Sequence, residues 1–83
     1  MKKIYEKQLG LQLYQDDEDY YLSILTGSYT LRTIEIKLTE EEKTYFLKSG
    51  RLFIDQLAGD ITRFPANYTS RQLPNEHPFY QTF

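Results

Sequence analysis

Apolar and polar residues alternate with period two along the first third of the chain, and the period lengthens to that of a helix after position 38. Leu9, Leu11 and Leu13 alternate with Gly10, Gln12 and Tyr14, which predicts a half-buried strand over Lys3–Tyr14. Upstream the phase is poorer, since Ile4 falls on the Gly10 side and Tyr5 on the leucine side, so Gly10 is expected to mark a bulge or bend. A second strand follows in "YYLSILTG", with Tyr20, Leu22 and Ile24 on one face and Tyr21, Ser23 and Leu25 on the other. Gly27-Ser28 supplies a turn. The third strand, "YTLRTIEIKL", sets Ile34, Ile36 and Leu38 against Glu35 and Lys37, while Tyr29 and Leu31 fall in the Glu35 phase. Three strands with short links predict an antiparallel meander over residues 1–38.

From Thr39 the pattern is helical. Thr39 and Glu42 form the Thr-x-x-Glu capping box, and three glutamates in the first turn suit the positive end of the helix dipole. Phe46, Leu47, Phe53, Ile54, Leu57, Ala58 and Ile61 recur at spacings that build one broad apolar stripe. Gly50 lies on that stripe. Either it lets the backbone approach the sheet closely or it divides the helix; the expectation is one bent helix, residues 40–63, within the segment 39–63. Residues 64–83 hold all three prolines and five aromatic rings, which predicts an irregular aromatic tail. The fold class expected is α+β: a three-stranded antiparallel meander, one long helix packed on one face, and that tail, all in a single small domain over residues 1–83.

Composition narrows the function classes. A net charge of −2 lacks the basic stripe that nucleic-acid backbones require. With no cysteine there are no disulfides, thiolate nucleophiles or cysteine-based zinc sites. The N-terminal "MKKIYEKQ" has no apolar core of a signal peptide, and no apolar run reaches the roughly 20 residues that span a bilayer. These features together point to a cytoplasmic protein without a membrane partner.

The candidate chemistry is sparse. "YQDDEDYY" places Asp16, Asp17, Glu18 and Asp19 in a row between tyrosines. An EF-hand loop counted from Asp16 needs Gly at its sixth position and Glu at its twelfth; Tyr21 and Gly27 stand there, so no metal is expected. The run reads as a hairpin connection whose surplus charge suits a basic partner. His77 has no nucleophile and orienting carboxylate at triad-like spacing, and Asp55 and Asp60 are expected to pair locally with Arg51 and Arg63. No cofactor and no catalytic residue are expected.

Eight tyrosines and five phenylalanines exceed what one covered sheet face needs. The second face must meet the aromatic tail, a second copy of the chain or another protein. In type the chain resembles the small immunity proteins of bacterial toxin systems: short, slightly acidic, cysteine-free, sheet plus helix, without a catalytic constellation. That resemblance implies an immunity or antitoxin-type inhibitor that binds and blocks a basic toxin domain encoded nearby. The contact surface expected is the acidic loop Asp16, Asp17, Glu18 and Asp19, with Tyr14, Tyr20, Tyr21 and Tyr29 around it. The alternatives are a homodimeric structural or regulatory module pairing through the uncovered sheet face, and a small ligand-binding domain or enzyme.

Overall fold

The computed structural model describes residues 1–7, 10–27 and 32–81. The α+β expectation holds, with corrections to the element count. Among these residues four strands, β1 (Lys2–Lys7), β2 (Leu11–Asp16), β3 (Asp19–Thr26) and β4 (Arg32–Lys37), form one antiparallel sheet in the order β1-β2-β3-β4. Helices α1 (Glu40–Ser49) and α2 (Arg51–Arg63) follow, then three 3-10 turns at Pro65–Asn67, Thr69–Arg71 and Pro78–Gln81.

The single strand expected over Lys3–Tyr14 is therefore two. β1 pairs antiparallel with β2, with Lys2 opposite Gln15, Lys7 opposite Leu11 and a register shift between Lys3 and Tyr5. The phase break upstream of Gly10 is the trace of that reversal and that shift. Of the residues that entered the strand phases, Leu9, Tyr29 and Leu31 lie outside the described residues, as does Ser28 of the expected turn.

The expected bent helix is also two helices. Gly50 adopts φ 65, ψ −140, closing α1 through its N–H to the Phe46 carbonyl and opening α2 through its own carbonyl, which accepts from Phe53. A Cβ at Gly50 would meet no atom within 4 Å, so glycine is needed here for its backbone conformation and not for close approach to the sheet. The capping box at Thr39 and Glu42 forms as expected, with both reciprocal bonds in place.

The main core lies between the sheet and α2. Ile54, Leu57 and Ile61, spaced three and four apart, pack on Leu11, Leu13, Leu22, Ile24, Ile34 and Ile36. Leu13, Leu22, Ile34, Ile36, Ile54 and Ile61 are essentially sealed from water, each burial contributing about 1.5–3 kcal/mol. α1 buries no residue fully; Phe46 sets its ring edge-on to Tyr20 at 5.3 Å and is only half-buried.

The opposite face has a smaller core. Tyr14 and Tyr21 stand directly opposite each other on β2 and β3, and the tail covers them with Leu73 and Phe79. The Phe79 ring lies edge-on to Tyr14 at 5.3 Å and stacks on Tyr21 at 5.6 Å. Of the three covers considered for this face, it is the aromatic tail that docks.

The tail also closes the outer edge of β4. Leu73 N–H donates to the Glu35 carbonyl, Glu35 N–H donates to the Gln72 side chain, and the Arg71 guanidinium donates to the Lys37 carbonyl. These are edge groups that would otherwise face solvent unpaired. The far edge, β1, is exposed and carries Lys2, Lys3 and Lys7, charges that discourage strand addition.

Candidate partner-binding surface

The acidic run forms a tight β-hairpin. Asp16 and Asp19 are the last paired residues of β2 and β3, leaving Asp17 and Glu18 as the two turn positions. Asp17 takes φ 55, a left-handed conformation that aspartate tolerates better than most residues. Its carbonyl accepts from the Gln15 amide. Asp16, Asp17 and Glu18 are exposed, and Asp19 is half-buried beside Lys37, whose ammonium lies 3.5 Å from its carboxylate.

β4 brings further acidic residues to this end of the molecule. Lys37 lies opposite Tyr21, Leu38 N–H donates to the Tyr20 carbonyl, and α1 begins two residues later. The exposed Glu40 and Glu41 therefore emerge beside the hairpin tip. Among the described residues, Asp16, Asp17, Glu18, Glu40 and Glu41 form no ion pair. Lys37 is held by Asp19, and the backbone of Lys2 lies opposite Gln15, one place short of the tip. No group of three or more histidine and carboxylate side chains among the described residues is placed to hold a metal ion.

Glu42, third in the acidic turn, is engaged differently. Both of its carboxylate oxygens accept from Arg71, at 2.6 and 3.0 Å, and one also accepts from Thr39 N–H. Burial alone would raise its pKa, but the bonds from Arg71 and Thr39 outweigh that and hold it below its ordinary value. Arg71 thus ties the tail to α1, to β4 and, through its guanidinium 5.8 Å from the ring centroid, to Tyr68.

The tyrosines expected to lend contact area do not lie on this surface. Tyr14, Tyr20 and Tyr21 are 8%, 9% and 5% exposed, so their rings belong to the interior. They also part company: Tyr20 lies under the helices, and Tyr14 and Tyr21 lie under the tail. Alternation along β3 requires this separation, because adjacent strand residues point to opposite faces. Tyr29 lies outside the described residues. The exposed apolar rings and chains are elsewhere. Tyr45 and Leu47 stand on α1, which starts at the acidic end, and Leu52 stands on the first turn of α2; Tyr45 stacks on Phe53 at 5.7 Å. Sequence reasoning missed Glu40 and Glu41 as surface neighbours of the hairpin, and Tyr45 as an exposed ring on the helix that starts there. The three glutamates were legible only as helix-start residues, and nothing local places that start beside a loop more than twenty positions earlier.

Other candidate residues have structural roles. The expected local pairs on α2 do not form. Asp55 instead accepts from the Tyr5 hydroxyl and pairs with Lys7, both on β1, while Arg51 sits over the Tyr5 ring. Asp60 accepts from the Tyr68 hydroxyl. The His77 ring accepts from Phe79 N–H through Nδ1 and packs edge-on to Tyr21, which fixes the turn that presents Phe79.

A polar row crosses the tail face next to the aromatic one. Glu6, Gln12, Ser23 and Glu35 stand in register across all four strands. Gln12 donates to Glu6 and accepts from the Tyr14 hydroxyl at 2.6 Å. At the other end Glu35 is 6% exposed. Its Oε1 accepts from the Tyr80 hydroxyl at 2.6 Å and from Gln72 at 3.3 Å, and its Oε2 accepts from Ser23 at 3.4 Å. Burial, together with the bond to Glu35 and its charge, pushes the Tyr80 phenol up to about 12.

Compared with known proteins, the chain matches no family model, no curated protein and no solved structure. No helix among the described residues is long and apolar enough to cross a membrane.

Proposed function

We propose that this chain is a non-catalytic protein-binding domain, in its most concrete form an immunity or antitoxin-type inhibitor acting in the cytoplasm on a toxin domain with a basic cleft. One observation carries the reading: five carboxylates without ion pairs among the described residues, at Asp16, Asp17, Glu18, Glu40 and Glu41, gather at one end of a small domain. A two-residue turn needs one such side chain at most. Carboxylates left in surplus repel one another, and a positive surface relieves that repulsion while steering encounter. Tyr45 and Leu47, exposed on the helix that begins there, supply the apolar contact that charge alone lacks. The homodimer alternative relied on a bare apolar sheet face, and Leu73 and Phe79 now cover Tyr14 and Tyr21 there.

The test is co-purification with the product of the neighbouring gene, followed by charge reversal at Asp16→Lys and Glu18→Lys. These changes leave the left-handed Asp17 and the Lys37-bound Asp19 in place. Affinity should fall at least tenfold at low salt, and the two curves should converge near 1 M salt, where the Debye length is only about 3 Å. Unchanged affinity at low salt would reduce the tip to a turn.

A further inference from the structure

The tail face contains a recess that neither the acidic end nor the core explains. It is a shallow cavity of about 240 Å³, lined by the polar side chains of Gln12, Ser23, Thr33 and Glu35 and by the rings of Tyr14, Phe79 and Tyr80. Three features of it converge. The first is a nearly buried carboxylate, Glu35, that forms no ion pair among the described residues and is held only by neutral donors. Buried carboxylates usually have a cation or several strong donors. The second is the unequal use of its oxygens. Oε1 takes a short bond from Tyr80 and a second from Gln72, whereas Oε2 takes only the long 3.4 Å contact from Ser23. A carboxylate oxygen has room for two donors. The third is the wall of aromatic rings. Phe79 lies edge-on to the other two rings of the recess, 5.3 Å from Tyr14 and 5.2 Å from Tyr80. Aromatic surfaces beside a carboxylate are the surroundings that favour an organic cation.

We propose that this recess binds an alkylammonium group, with Glu35 Oε2 as its counter-charge. An ammonium has three donors and no acceptor. One bonds to Glu35 Oε2, and the hydroxyl oxygens of Ser23 and Thr33 accept the others, while the alkyl stem lies along the rings. Arg32 lines the adjoining groove at the end of β4 but makes no ion pair with Glu35. The site lies on the sheet, away from the acidic tip, and does not depend on the partner proposed above.

The probes are n-butylammonium, its neutral counterpart n-butanol, and N-acetyl-lysine methylamide, each titrated into the full chain while amide resonances are followed by NMR. Butylammonium should shift the amides of Ser23, Thr33, Glu35 and Tyr80 saturably, and butanol should not. Glu35→Gln, which keeps the shape and an acceptor for Tyr80, should weaken butylammonium at least tenfold. Ser23→Lys places an ammonium beside Glu35 within the chain. It should stay folded with an undiminished melting temperature and lose the response, so the idea remains testable if Glu35→Gln fails to fold. Binding of the lysine derivative assigns the recess to a side chain of another protein; binding of butylammonium alone assigns it to a free amine; either supports the ammonium site. Equal binding by Glu35→Gln, equal shifts with butanol, or shifts confined to residues 16–19 would overturn it.

Discussion

Arg71→Met tests how this small domain holds its parts together. The substitution keeps most of the apolar stem and removes the guanidinium. Three bonds disappear: two to the Glu42 carboxylate, at 2.6 and 3.0 Å, and one to the Lys37 carbonyl at 2.9 Å. Hydrogen bonds to charged groups contribute about 1.5–3 kcal/mol when sheltered. The two side chains here keep 28% and 17% of their exposure, so solvent screening reduces the gain, and about 1–2.5 kcal/mol is the expected loss. For a domain of this size that lowers the melting temperature by about 4–20 °C. The pH dependence is the sharper signature. The folded pKa of Glu42 lies below its reference value of 4.5, so its contribution is present above that value and is lost as pH falls through the folded pKa. Thermal unfolding followed by circular dichroism between pH 7 and pH 3 should therefore show the gap between wild type and Arg71→Met narrowing below about pH 4.5. A double-mutant cycle with Glu42→Gln should give a coupling of about 0.5 kcal/mol or more. A melting temperature within about 2 °C of wild type, or a gap that stays constant down to pH 3, would refute the reasoning.

Two further outcomes follow from the backbone and from the tail. Gly50→Ala forces an L side chain into a conformation suited to glycine and should cost about 1–3 kcal/mol, whereas D-alanine at the same position, introduced by chemical synthesis, should be tolerated; equal losses for the two would point to a steric cause. Tyr68 and Tyr80 both have phenols pushed up to about 12 from 10.0, beyond the smaller rises at Tyr5 and Tyr21, so a spectrophotometric titration near 295 nm should show two phenols titrating last. Because their folded pKa values are raised, the stability they contribute is intact below pH 10 and falls as pH rises from there towards 12; Tyr80→Phe should remove one late phenol, and its failure to do so would mean the Glu35 bond does not form.

Much of the helical layer was legible in the sequence because its causes are local. Thr39 and Glu42 are three residues apart, and Ile54, Leu57 and Ile61 fall on one side of any α-helix. Gly50 was legible as a question, and its positive φ answers it. The reversal between β1 and β2 was hidden because the alternation of Leu9, Leu11 and Leu13 runs through it with only one glycine as punctuation. The fates of the tyrosines were half-legible. Alternation puts Tyr20 and Tyr21 on opposite faces, but burial of both required a docked tail, and prolines in the tail specify only what it is not. Glu35, Gln72 and Tyr80 could not be joined from sequence at all, since 37 and 45 positions separate Glu35 from its partners. The acidic hairpin was read correctly as a connection between strands. Its company at Glu40 and Glu41 depends on the pairing of β3 with β4, a long-range fact.

The tail that closes β4 also sets an order of events during synthesis. Tyr14 and Tyr21 leave the ribosome early, yet Leu73 and Phe79, which cover them, are among the later residues made. Until then the nascent sheet carries two bare aromatic rings and an open strand edge, the combination that invites misassembly. The α2 side of the sheet can settle once residue 61 is available, while the other side waits for residue 79. The second face is thus closed by a late segment, and a chain cut before Phe79 leaves Tyr14 and Tyr21 uncovered on one face while Ile54, Leu57 and Ile61 can still pack on the other.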